Sequence, residues 1–133
     1  MKKYIKVVGA IIKNENNEVL CALRSETMSI PNMWEFPGGK IEANESIQEA
    51  IIREIREELN CEIKAYDIQC DYTHEYEAFI VNLITVNCSI VTGTPKASEH
   101  AQLRWVKPTD LHLLNWAPAD IKAVKLLQKK SEQ

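Results

Sequence analysis

The stretch Gly38 to Cys61, GGKIEANESIQEAIIREIREELNC, constrains the fold more than any other part of the chain. Ser46 followed three residues later by Glu49 is a capping-box pair, so a helix is expected to begin near Ser46. Ile47, Ile51, Ile55 and Leu59 recur at four-residue steps, with Ile52 beside them, and form an apolar stripe that must be packed. At about 100° per residue, Glu54, Glu57 and Glu58 make an acidic ridge along the edge of that stripe, and Glu58 falls inside the apolar arc. A face made only for solvent would not carry a carboxylate there. Glu54 and Glu58 set like charges one turn apart, which costs an isolated helix about 0.2–0.5 kcal/mol, and more where water is excluded. Arg53 and Arg56 are expected to point to other parts of the helix surface and to relieve this only in part. The counter-charge the pattern asks for is a hard divalent cation, Mg²⁺ with Mn²⁺ as a substitute, because such ions take oxygen ligands. The charged outer face of an ordinary amphipathic helix is the plain alternative. Glu58 in the apolar arc and the glycine pair upstream favour the metal.

At 133 residues the chain can bury one real core but not two, so residues 1–133 are expected to form a single domain. A hydrophobic share of 45% and a formal charge of −3 fit an ordinary globular protein without the basic surface that polymeric nucleic acid demands. Cys21, Cys61, Cys70 and Cys88 are widely spaced and sit in or beside apolar runs. Neither zinc nor a disulfide framework is expected, and a cytoplasmic setting fits. Lys2 and Lys3 precede an apolar run that is short, broken by Lys6 and without a cleavage site. No segment approaches membrane-spanning length, so no membrane partner is expected; monomer or homodimer stays open.

Tyr4 to Lys13 is β-branched and nearly continuous, as in a strand buried on both faces; a polar turn and a second strand, Val19 to Leu23, follow. Gly9 inside the first strand marks either a close approach by a ligand or a packing site for a neighbouring side chain. Arg24 ends the second strand and opens a polar loop to Asn32. Trp34 and Phe36 bracket Glu35, which suggests a short strand, and Pro37-Gly38-Gly39 predicts a tight turn with exposed backbone. Beyond the acidic helix, Glu62 to His74 and Glu77 to Val91 read as strands joined at EYEA, and nothing catalytic is assigned to His74. A loop containing KASEH leads to a strand at Gln102 to Val106, then to a turn or short helix over Pro108 to Leu114. The terminal helix is expected over Ile121 to Lys130 with Ile121, Val124 and Leu127 inward, and the tail Ser131 to Gln133 is expected to fray.

The spacing of Gly39, Glu45, Arg53, Glu54, Glu57 and Glu58 resembles the Nudix box: Gly, five residues, Glu, seven residues, then Arg-Glu-x-x-Glu-Glu. Asn60 stands where that family carries glycine. A left-handed helix C-cap would explain the position, and asparagine is the next-best residue for it. The resemblance covers nearly the whole chain and implies an α/β Nudix fold, a mixed β-sheet sandwiched between α-helices, with the box as a loop–helix–loop. It implies a site for Mg²⁺ or Mn²⁺ at the Gly38 carbonyl, Glu54, Glu57, Glu58 and Glu99. Arg53, Glu54, Glu57 and Glu99 are implied as catalytic, Arg53 orienting the glutamates and either Glu54 or Glu99 acting as general base.

The Trp-Glu-Phe approach, the Glu99-His100 loop and the APAD sequence before the last helix are similar to MutT-like members and to the bacterial CTP pyrophosphohydrolase branch. That likeness implies substrate contacts at Arg24, Glu35, Phe36 and Asp120, with Arg24 on the phosphate side and Asp120 at the base. Without it, Asp120 is an ordinary helix-start residue. A carboxylate accepts hydrogen bonds, so Asp120 would favour a base presenting N–H donors, such as the cytosine amine or the N7–H of 8-oxoguanine. The implied activity is metal-dependent hydrolysis of a small-molecule substrate, an oxidised or cytidine-type (d)NTP, to the monophosphate and pyrophosphate. Another nucleoside diphosphate-X substrate and a non-catalytic ligand-sensing module are the alternatives. The intact glutamate set argues against the second.

Overall fold

The near-continuous apolar run at the start of the chain becomes an interior strand of its sheet, but only its second half, Val8 to Ile12, is buried on both faces as expected. Tyr4 and Lys6 are exposed, and Ile5 and Val7 are half-buried. In the computed structural model, which describes residues 1–131, β1 (Lys3–Ile12) pairs antiparallel with β4 (Gly38–Lys40) and parallel with β6 (Phe79–Thr92). With β5 (Glu62–Glu75) on the outer side of β6, they make a mixed sheet of order β4-β1-β6-β5. A second, antiparallel sheet has the order β3-β2-β7, from β3 (Trp34–Glu35), β2 (Val19–Leu23) and β7 (Gln102–Val106). Successive residues of a strand face opposite ways. Val8, Ala10 and Ile12 therefore enter a core with α1 (Ile47–Leu59), while Ile11 enters a core with α2 (Ile121–Ser131). The mixed sheet thus carries one helix on each face.

The stripe on α1 is buried as its spacing demands: Ile51, Ile55 and Leu59 are all sealed from solvent, each burial worth roughly 1.5–3 kcal/mol. Ser46 accepts from the Glu49 N–H while Glu49 accepts from the Ser46 N–H, completing the capping box. At the other end Asn60 adopts φ 55°, ψ 40° and its N–H returns to the Arg56 carbonyl. This left-handed cap explains why asparagine can stand in for glycine. We expect Asn60→Gly to change the urea-unfolding free energy by less than about 0.5 kcal/mol, and Asn60→Ala to lower it by about 1 kcal/mol. An alanine variant as stable as the parent would refute that account.

Two expectations need correction. Pro37-Gly38-Gly39 is not a tight turn, because Gly38 and Gly39 lie in β4, opposite Gly9 and Val8 of β1. The reason for glycine is close approach: a Cβ on Gly38 would overlap the Val8 carbonyl. Ile121 is 40% exposed, and α2 buries Ala123, Val124 and Leu127 instead, since steps of three residues drift off a 3.6-residue face. At Gly9 a Cβ would meet Leu83, Thr85 and Phe36 at 3.4–3.5 Å, so side-chain packing is the alternative the fold favours. Of the tail expected to fray, Ser131 is helical; Glu132 and Gln133 lie outside the described residues. Among the described residues all four thiols are unpaired, and no helix is long and apolar enough to cross a membrane.

Candidate active site

A cavity of about 280 Å³ opens on the sheet face opposite α1. Its floor is apolar, formed by Ile5 and Val7 of β1 with Val81 and Leu83 of β6. Arg24, Glu35, Phe36, Gly38, Glu58 and Asp120, all implied site residues, line it together. Glu54, Glu57, Arg53 and Glu99 do not reach the lining; Arg53 stands beside Glu54 and Glu57, Glu54 lies against the lining residue Gly39, and Glu99 is exposed in its loop.

The acidic part of the site is built by α1 and β4. Glu58 is pulled inward by the apolar arc it belongs to, and its Oε2 is buried with no hydrogen-bond partner, the one such side-chain atom among the described residues. Burial pushes its pKa up to about 7; Glu54, Glu35 and Glu99 add to the shift and His100 opposes it. The Glu54 carboxylate lies against Gly39, where any Cβ would meet both its oxygens. Burial raises the Glu54 pKa, with Arg53 opposing and Glu57 adding. Glu57 extends outward, its side chain 59% exposed.

Arg53 does not point away, contrary to the expectation from its position on the helix. Its Nε and Nη2 donate to the two Glu45 oxygens at 2.5 and 2.9 Å, and Nη2 also donates to the Lys40 carbonyl at 3.0 Å. Nη1 stands 3.4 Å from Glu54 and 3.3 Å from Glu57. Bidentate geometry makes this a rigid brace for the acidic ridge. Arg56 does point away, to Glu62.

Among the described residues no three acidic, imidazole or thiol side chains form a ready ion cage. The donors nevertheless suit a hard divalent cation. A buried carboxylate oxygen without any proton donor, on the same helix as the part-buried carboxylate of Glu54, is a fitting ligand for a cation.

The middle of the cavity is held by Glu35. Its Oε1 accepts from Arg24 Nη1 at 2.7 Å, and its Oε2 lies 2.8 Å from His100 Nε2. Burial alone would lower the His100 pKa, but the bond to Glu35 and the charges of Glu35 and Glu58 outweigh it and hold it above the usual range. Arg24 also donates through Nε to the Ser29 and Ile30 carbonyls and through Nη2 to the Ser29 hydroxyl. These bonds secure the 25–32 loop, in which Ile30 takes a left-handed φ of 51°. One N–H on each terminal nitrogen of Arg24 remains for a ligand.

Asp120 also lines the cavity. It is buried, and its Oδ2 accepts from the Phe36 N–H at 3.0 Å. Burial, with Glu35 adding, keeps its pKa well above the ordinary value, against the pull of Phe36 N–H and Arg24. Phe36 packs on Trp116 with ring centroids 4.7 Å apart.

Glu99 is exposed, in a loop fastened by Ser98 Oγ to the Glu58 carbonyl and by the Ala101 N–H to the Leu23 carbonyl. Its neighbour His100 is the buried residue. Sequence reasoning gave no role to His100, to Tyr76, or to Glu45 beyond its place in the spacing. Glu45 was signalled by that spacing and His100 only by its place in the Glu99-His100 loop; nothing local distinguishes Tyr76.

A family profile describing the NUDIX domain matches residues 3–127. The chain is 36% identical to the CTP pyrophosphohydrolase of Escherichia coli K12 over 90% of its own length and 87% of that protein. It is 30% identical to the 8-oxo-dGTP diphosphatase of the same organism, over 97% and 99%. It is similar to the solution structure of a Nudix-family MutT protein from methicillin-resistant Staphylococcus aureus 252, with 49% identity and TM-score 0.79 over 98% of this chain and 99% of that one.

Proposed function

The chain belongs to the Nudix family of hydrolases, and from that premise we propose that it is a metal-dependent nucleoside triphosphate pyrophosphohydrolase with cytidine triphosphates as preferred substrates. The observation that carries the reading is one cavity lined both by Glu58, whose buried Oε2 has no partner and which shares helix α1 with Glu54 behind Gly39, and by the buried carboxylate of Asp120. A nucleotide needs both: an ion-bearing site for its polyphosphate and a directional group for its base. The similarity to a CTP pyrophosphohydrolase favours the cytosine amine as the donor to Asp120. 8-Oxoguanine, whose N7–H offers the same donor, is the second reading, favoured by the similarity to an 8-oxo-dGTP diphosphatase.

Glu54, Glu57 and Glu58 with the Gly38 carbonyl would hold Mg²⁺ or Mn²⁺, with Glu99 completing the set from its loop. Such a cation screens the charge of the phosphate chain and makes the attacking water more acidic. The remaining work belongs to the chain. Arg53, fixed by Glu45, keeps the glutamates oriented. The free N–H groups of Arg24 meet a phosphate oxygen, and the apolar floor excludes bulk water beneath the nucleoside. As water attacks a phosphorus atom beside the oxygen that bridges the α and β phosphates, a new O–P bond forms and the water proton passes to a carboxylate. The bond from that phosphorus to the bridging oxygen breaks, the leaving phosphate group takes the electron pair, and monophosphate and pyrophosphate separate. Glu54, part-buried against Gly39, is favoured over exposed Glu99 as proton acceptor. The protein would act on the cytoplasmic pool of free nucleotides, as monomer or homodimer.

Steady-state turnover of CTP, dCTP, 8-oxo-dGTP and ADP-ribose with Mg²⁺ tests the reading. A cytidine triphosphate should be fastest, yielding monophosphate and pyrophosphate, and Asp120→Asn should lower kcat/KM for it by about 10–100-fold, within the range for one directional polar contact. ADP-ribose as the best substrate would replace this reading with a nucleoside diphosphate-X hydrolase, and tight binding without turnover would replace it with the sensor.

A further inference from the structure

We propose that Tyr76 is a positioning residue for base selection, acting by fixing the turn that carries Asp120. The inference rests on the reading of Asp120 as the group that meets the base.

Asp120 ends a short 3₁₀ turn, Pro118–Asp120, which has no side-chain cap of its own. The Ala119 N–H, at a buried residue, would be left without a partner, and an unpaired buried N–H is destabilising. The partner comes from 43 residues away: the Tyr76 hydroxyl accepts from the Ala119 N–H at 3.1 Å. Tyr76 lies between β5 and β6, and its N–H donates to the Phe79 carbonyl at 2.8 Å. Its ring packs on Phe79 at 5.0 Å between centroids and edge-on to His74 at 4.6 Å, so the hydroxyl is delivered by a fixed ring.

The other side of the turn is tied elsewhere. The Ala117 N–H donates to the Trp34 carbonyl at 2.8 Å, and the Asp120 carboxylate accepts from Phe36 just beyond β3. The Asp120 turn is therefore strung between β3 on one side and the β5–β6 hairpin on the other. Cutting the hairpin tie leaves the carboxylate bonded to Phe36 but frees the backbone that aims it. Tyr76 and Phe79 also line the cavity, so their rings bound the space a base would occupy beside Asp120. A small displacement of a directional acceptor weakens the correct base more than the wrong one, because only the correct base uses the direction.

Tyr76→Phe removes one oxygen and keeps the ring. Steady-state kinetics on CTP and a competing triphosphate should show the ratio of kcat/KM values falling about fivefold, through KM, with kcat within about twofold. In an Asp120→Asn background the same change should reduce the ratio no further, since the tie acts through Asp120. An unchanged ratio in Tyr76→Phe, or an equal further loss in the double variant, overturns the proposal. Calorimetric titration with CMP and GMP gives a readout independent of hydrolysis. A preference between them that Tyr76→Phe abolishes would support the tie even where no triphosphate is turned over, in which case the hydrolase reading alone would fall.

Discussion

Replacing Glu58 by glutamine is expected to lower kcat by about 10²–10³-fold while making the metal-free protein more stable at alkaline pH. Both effects come from the same buried oxygen. Its isolation favours the protonated acid in the folded state, with a pKa pushed up to about 7 from an ordinary 4.5. A group whose folded pKa is raised this way leaves stability intact below pH 4.5 and erodes it as pH climbs to 7. The penalty levels off above that, at about 3 kcal/mol for a shift of this size. Glutamine keeps the shape and removes the titration. In EDTA, urea unfolding of Glu58→Gln and the parent should agree near pH 4 and diverge in favour of the variant by pH 8. Adding Mg²⁺ at pH 8 should then stabilise the parent by more than the variant, because a ligand that binds only the folded state raises stability with the logarithm of its concentration over Kd, and so by more the tighter it binds. Equal stability of the two proteins across that pH range, or parent-like turnover by the variant, would mean Glu58 is not the group that waits for the ion.

Alanine at the two adjacent glycines should separate fold from chemistry. At Gly38 the new Cβ meets backbone: the Val8 carbonyl, with the Val8 carbonyl carbon at 2.8 Å and the Gly9 Cα at 2.9 Å. Backbone cannot swing aside, so β4 must part from β1, and Gly38→Ala should lose about 3 kcal/mol or more. At Gly39 the obstacle is the carboxylate of Glu54, the far end of a flexible side chain. Gly39→Ala should therefore fold with a loss of less than about 1 kcal/mol yet lose about 10²-fold in kcat/KM, because Glu54 has been pushed off its post. Urea midpoints and kcat/KM measured side by side check the pair. A fully active Gly39→Ala enzyme would remove Glu54 from the site.

Much of this was legible in order along the chain. Ser46 and Glu49 marked the start of α1, the isoleucine spacing marked its buried stripe, and Asn60 marked its left-handed end. The strands Val19–Leu23 and Gln102–Val106 lie where their apolar runs were bounded by polar loops. Each of these signals reaches only a turn or a strand length, and the physics that sets it is equally local. Arg53 shows the limit. Its helical position put it off the acidic ridge, but Glu45 in the preceding loop and the Lys40 carbonyl draw its guanidinium back across that ridge.

By itself the sequence determined the family, the acidic helix and the charge that helix cannot carry unaided. It was tertiary structure that brought His100 against Glu35, 65 residues away, Asp120 to the Phe36 N–H across 84, and the Tyr76 hydroxyl to the Ala119 N–H beside Asp120. No periodicity encodes such meetings. They arise where strands from distant parts of the chain pair into one sheet and a buried polar group must take whatever partner the fold brings within reach.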